Sequence, residues 1–128
     1  MTFVDTNYFL RFLLNDIDSH YQQSKELFLK AARGELELIT SVVVFFEVAW
    51  VLEASYGQDR DSLTEALYKI LTLSLNIENR DLLFEVLHLF RNTTLEIEDC
   101  YNLLYAKKLK VEDFRTFDDK LEKQFAKV

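Results

Sequence analysis

The chain has 128 residues with no proline, two glycines and one cysteine, a length that suits one domain over residues 1–128 with a core of its own. An apolar share of 49% excludes a disordered chain, and a net charge of −7 argues against a protein that coats nucleic acid with its own lysines. Cys100 has no disulfide partner, and neither a signal peptide nor a membrane span is legible, so a reducing, cytoplasmic setting is expected.

Thr2-Phe3-Val4 opens as a β-prone stretch ended by Asp5, and Thr6 or Asn7 is placed to cap a helix over Tyr8 to Leu14. A second helix is expected from about Ser19 to Arg33, with Gly34 ending it. Leu36 to Thr40 alternates like a strand, Ser41 reads as an N-cap, and Val42 to Ser55 is long enough for a helix closed by Gly57. Asp61 to Thr72 and Asn79 to Arg91 read as helices with a short strand around Leu73 to Ile77 between them. Ile97 to Lys110 is expected as a helix on the spacing of Ile97, Cys100 and Leu104, then an extended piece from Val111 to Phe117 and a last helix from Asp118 to Ala126. Strands alternating with helices predict an α/β fold, a small parallel sheet flanked by helices in three layers. In such folds ligands bind beyond the carboxyl ends of the strands, and Asp5 and Asp118 both stand where a strand candidate gives way to a helix.

Most acids lie in polar company and read as solvated surface. Glu47 interrupts the apolar run from Val42 to Leu52, where an unpaired buried carboxylate would cost several kcal/mol. It should therefore be protonated, paired with a base or bound to metal. Asp5, Asp99 and Asp118 each fall at an element boundary, where each alone is equally well read as a helix cap. Together the four are available to converge, and like charges held close call for a cation. Carboxylate oxygens suit Mg²⁺ or Mn²⁺, and a pair of such ions can acidify a water and stabilise a leaving oxygen. Metal so held inverts the local field, which reconciles an acidic chain with a phosphate substrate.

At these residues the sequence resembles the PIN-domain family, and within it the VapC-type toxins. Phe3-Val4-Asp5-Thr6-Asn7 is similar to the family's opening motif, and Thr40-Ser41-Val42-Val43 leading to Glu47-Val48 to its second. Ile97-Glu98-Asp99-Cys100 with Tyr105-Ala106-Lys107-Lys108 is similar to the third, and Arg115-Thr116-Phe117-Asp118-Asp119-Lys120-Leu121 to the Thr-Phe-Asp motif. The resemblance implies a metal-dependent endoribonuclease, the toxin of a toxin–antitoxin pair, with Asp5, Glu47, Asp99 and Asp118 as the metal-binding acids. It further implies that Thr116 orients one of them through its hydroxyl, that Thr6 and Asn7 do likewise beside Asp5, and that Asp119 is an extra acid. RNA as substrate, a cognate antitoxin protein as partner and a homodimer are implied as well. The expected chemistry is in-line attack by an activated water on a phosphodiester in unpaired RNA.

The sequence departs from the family pattern in three places. No proline precedes Ser41, Glu96-Ile97-Glu98 stands where an aromatic–acid pair is frequent, and the chain ends soon after Lys120, so the last edge strand is expected to be short or missing. Lys107, Lys108, Lys110, Arg115, Lys120 and Lys123 cluster late in the chain, where they either track an RNA backbone or form a solvated face. Arg11 reaches towards the cleft or a partner; Phe45, Phe46 and Trp50 read as core or dimer surface, and Cys100 as a small buried hydrophobe. Two rival readings remain at this stage: an Asp-cluster phosphatase or receiver-like domain, for which no lysine stands at a strand end, and a catalytically silent PIN fold that only binds a protein.

Overall fold

A computed structural model describes residues 1–128, in the order β1 (Thr2–Phe3), α1 (Thr6–Leu14), α2 (Asp18–Ala32), β2 (Leu38–Thr40), α3 (Val42–Ala54), α4 (Arg60–Leu71), β3 (Asn76–Ile77), α5 (Arg80–Arg91), α6 (Ile97–Lys108) and α7 (Asp119–Lys127). The fold is α/β, with a three-stranded parallel sheet and seven helices. No helix is long and apolar enough to cross a membrane. Two compact units divide the chain, Met1–Asn79 and Arg80–Val128.

The first unit holds the whole sheet, in the order β1-β2-β3. Thr2 pairs with Leu38 and Phe3 with Ile39, while Ile39 pairs with Asn76 and Thr40 with Ile77. Each parallel step needs a crossover, and each here is a helix pair: α1 and α2, then α3 and α4. The helices bury Phe9, Leu10 and Phe28, then Phe45, Val48, Leu52, Leu63, Leu67 and Ile70. Phe9 stacks on Phe28 with centroids 5.6 Å apart, and Phe12 meets Phe28 edge-on at 5.0 Å, which locks α1 to α2. Gly34 ends α2 in the left-handed region at φ 77°, with Gly34 N–H donating to Ala31 and Glu35 N–H to Lys30, the paired bonds of a Schellman cap.

The second unit is helical. Leu82, Leu83, Val86, Leu87 and Phe90 of α5 are buried, as are Ile97, Cys100 and Leu103 of α6, so Leu103 rather than Leu104 completes the buried row. Leu121 is the buried residue of α7.

Residues 111–117 form no strand, which corrects the extended piece expected there and leaves the sheet at three strands. The reason is local. Lys110 turns the chain at φ 58°, Val111 and Phe117 are exposed, and Phe114 stacks on Phe125 of α7 at 5.3 Å instead of offering one side of a strand. Asp118 therefore follows an irregular segment.

Candidate functional site

Asp5 stands directly after β1 and caps α1. Its backbone is extended (φ −91°, ψ 171°), and its Oδ1 accepts the Thr6 backbone N–H at 2.8 Å and the Thr6 hydroxyl at 3.4 Å. Asp5 is thus the cap that Thr6 or Asn7 was expected to be, and Thr6, buried, is in contact with it. Asn7 is exposed on the first turn of α1.

One contact invisible to the motif reading fixes this end of the sheet. Thr40, 3% exposed at the end of β2, donates its hydroxyl to the Val4 carbonyl at 2.8 Å, one residue before Asp5. A buried threonine at a strand terminus beside Ser41 is the only sequence signal for it. Ser41 then caps α3 by accepting the Val44 N–H at 3.2 Å, so α1 and α3 both leave from the carboxyl edge of adjacent parallel strands.

Glu47 lies in the second turn of α3, and its burial was misjudged. It is exposed, between Val43 at 71% and Trp50 at 63% exposure on an i, i+4, i+7 stripe. The run from Val42 to Leu52 is apolar all round, but only Val44, Phe45, Val48, Ala49 and Leu52 are buried. Burial therefore gives no reason for metal at Glu47. Phe45 is core, whereas Trp50 is surface.

In the second unit Asp99 is the third residue of α6, half-buried, with Glu96 at the helix cap position. Burial raises the Asp99 pKa, and the charges of Asp118 and Glu96 raise it further. Asp99 and Asp118 thus feel each other directly. Asp118 caps α7 by accepting the Leu121 N–H at 3.1 Å, and its own N–H donates to the Thr116 hydroxyl at 3.1 Å. Thr116 consequently orders the Asp118 main chain rather than its carboxylate. Asp119 opens α7 exposed.

The basic residues are mostly engaged elsewhere. Arg115 pairs with Asp113 at 2.7 Å, Lys107 lies 3.9 Å over the Phe125 ring, and Lys120 donates to Thr94 at 3.0 Å. Arg11 is held by Asp16 at 2.9 and 3.0 Å, and that hydrogen bond raises its pKa. Asp5, Glu47, Asp99 and Asp118 form no ion pair with any lysine or arginine.

Oxygen-only donors of this kind fit a hard divalent cation. No three His, Cys, Asp or Glu side chains are gathered into a group that would hold one, so the fit is one of donor chemistry.

No curated protein matches the chain. A family model, the PIN domain, matches residues 2–126, across both compact units. The chain belongs to the PIN domain family.

Proposed function

We propose that this chain is a metal-dependent endoribonuclease of the VapC toxin type, in which Asp5, Glu47, Asp99 and Asp118 act together on Mg²⁺ or Mn²⁺. PIN domains are in general metal-dependent nucleases, and PIN nucleases bind RNA. The observation that carries the reading is that all four motif acids lack a basic partner, while Arg11, Arg115, Lys107 and Lys120 are engaged with other groups. Carboxylates left unpaired, two of them close enough for mutual repulsion, are relieved by a cation.

When bound, the divalent ion supplies charge stabilisation at the phosphodiester and acidifies a water. The chain's own part is placement. Thr6 holds Oδ1 of the exposed Asp5; the Thr40 bond to Val4 fixes the strand end from which Asp5 projects. Thr116 and the α7 amides hold Asp118, and Asn7 and Asp119 are the remaining polar groups of the motifs.

As a toxin the protein acts with a cognate antitoxin, and the exposed Val43–Glu47–Trp50 stripe is a surface such a partner would cover. A homodimer and a cytoplasmic location belong to the same reading, as does one PIN domain spanning both units.

Cleavage of a labelled structured RNA with Mn²⁺, with Mg²⁺ and with EDTA, beside Asp5→Asn and Asp99→Asn, tests this directly. Metal-dependent fragments lost in EDTA and in both variants are expected. Unimpaired cutting by Asp5→Asn removes Asp5 from the mechanism. No metal binding by calorimetry and no cleavage leaves a silent protein-binding PIN fold; turnover of a small phosphate ester with RNA untouched leaves a phosphatase.

A further inference from the structure

Between α1 and α2, both within the first unit, lies a cavity of about 160 Å³ lined by Asn7, Tyr8, Arg11, His20, Gln23 and Ser24. A cavity of roughly 150 Å³ accepts one benzene ring, so this one has room for a single planar ring and not for a whole nucleotide. Its lining is unlike that of a packing defect. Asn7 and Gln23 offer amides, His20 an imidazole and Ser24 a hydroxyl, so both donors and acceptors stand among the lining residues. Ser24 is 2% exposed, and its hydroxyl forms no hydrogen bond with the protein. That hydroxyl is not sealed from solvent, so it is free to meet a polar edge inside the cavity. Tyr8 presents an exposed aromatic ring at the wall, where Arg11 is held in an ion pair with Asp16.

A flat ring with donors and acceptors along its edge suits a space of this size and lining. Unpaired RNA offers such rings, because its bases can be splayed out, stacked on aromatic side chains and read along their edges. Asn7 and Tyr8 belong to the helical turn that Asp5 caps, so a base seated here is close in the chain to the proposed cutting centre. We propose that the α1–α2 cavity receives one unpaired nucleobase of the substrate RNA and thereby selects where the strand is cut. Selection of the cut site rests on the nuclease reading above; binding of the base does not.

The test separates the two. Binding of AMP, GMP, CMP, UMP and inorganic phosphate to the metal-free full chain is measured by calorimetry, for the wild type, Gln23→Ala and Ser24→Ala. Cut positions in a randomised single-stranded RNA are then mapped with Mn²⁺. One nucleotide is expected to bind about threefold to tenfold better than the others, the worth of a single neutral hydrogen bond. Gln23→Ala is expected to abolish that preference and to change the base found beside the cut. Gln23 is exposed, so its truncation leaves folding intact, which an unchanged melting curve verifies. Equal binding of all four nucleotides, or binding matched by phosphate alone, overturns the proposal, as do cut positions identical in wild type and Gln23→Ala. A Gln23-dependent preference among nucleotides in a protein that cuts no RNA upholds the base pocket and refutes the nuclease.

Discussion

Asp5 is placed by bonds from two directions, its own cap contact with Thr6 and the Thr40 hydroxyl on the Val4 carbonyl. Thr40→Val keeps the shape but strands a buried carbonyl, so a loss of about 1–3 kcal/mol in urea unfolding is expected; an unchanged midpoint would mean that water replaces the bond. Glu47 behaves oppositely. It is exposed and unpaired, so Glu47→Gln should move stability by less than about 0.5 kcal/mol, and under the proposed metal-binding role it should cut cleavage at least ~100-fold. Asp99 adds a pH signature. Burial and then the charges of Asp118 and Glu96 raise its pKa, so the folded chain holds this proton more tightly than the unfolded one. Metal-free stability should therefore fall as pH rises from the ordinary carboxylate range through the raised value. Asp99→Asn should then melt higher than wild type at neutral pH and alike at pH about 3, below the ordinary carboxylate range. A variant that melts lower at neutral pH contradicts this. The four acids stand out in the sequence by motif order alone; Glu47 is not buried as its apolar neighbours suggest, because an apolar helix need not be buried on every side. Thr40 was missed because only the register of β1 against β2 shows what its hydroxyl meets.

Helices were the legible elements, since their signals are local. Ser41 caps α3 and Gly34 ends α2 as expected, and the boundaries of α1 to α7 moved by a residue or two as caps took their places: Asp5, Asp59 and Asp118. Strands were less legible, because β1 and β3 are two residues each and exist only through partners distant in sequence. Residues 111–117 read as extended from their apolar ends, yet the ring contact of Phe114 with Phe125 prevails. The α2 terminus gives an element-scale prediction. A Cβ at Gly34 would meet nothing within 4 Å, so Gly34→Ala suffers only the left-handed backbone. A loss of roughly 1–2 kcal/mol is expected in thermal or urea unfolding, and a neutral result would show that α2 ends equally well without its Schellman bonds.

At the scale of the molecule, the proposed function requires a chain of net charge −7 to approach a polyanion. Part of its cation set is already engaged: Arg11 is tied to Asp16, Arg33 to Glu35 and Glu26, Arg115 to Asp113, and Lys107 lies against Phe125. Each single-strand phosphate neutralised by a side chain adds about −0.7 to the slope of log affinity against log salt. With few such contacts, RNA binding to the Asp5→Asn chain, for which the proposed function expects no cleavage, should be weak and shallow in salt, with a slope no steeper than about −2. Wild-type binding to an uncleavable RNA should instead follow divalent metal, tightening on titration with Mg²⁺ or Mn²⁺ at constant ionic strength. The opposite pattern, a steep salt slope with no response to divalent metal, would assign RNA capture to the late lysines and leave the carboxylates without a part in it.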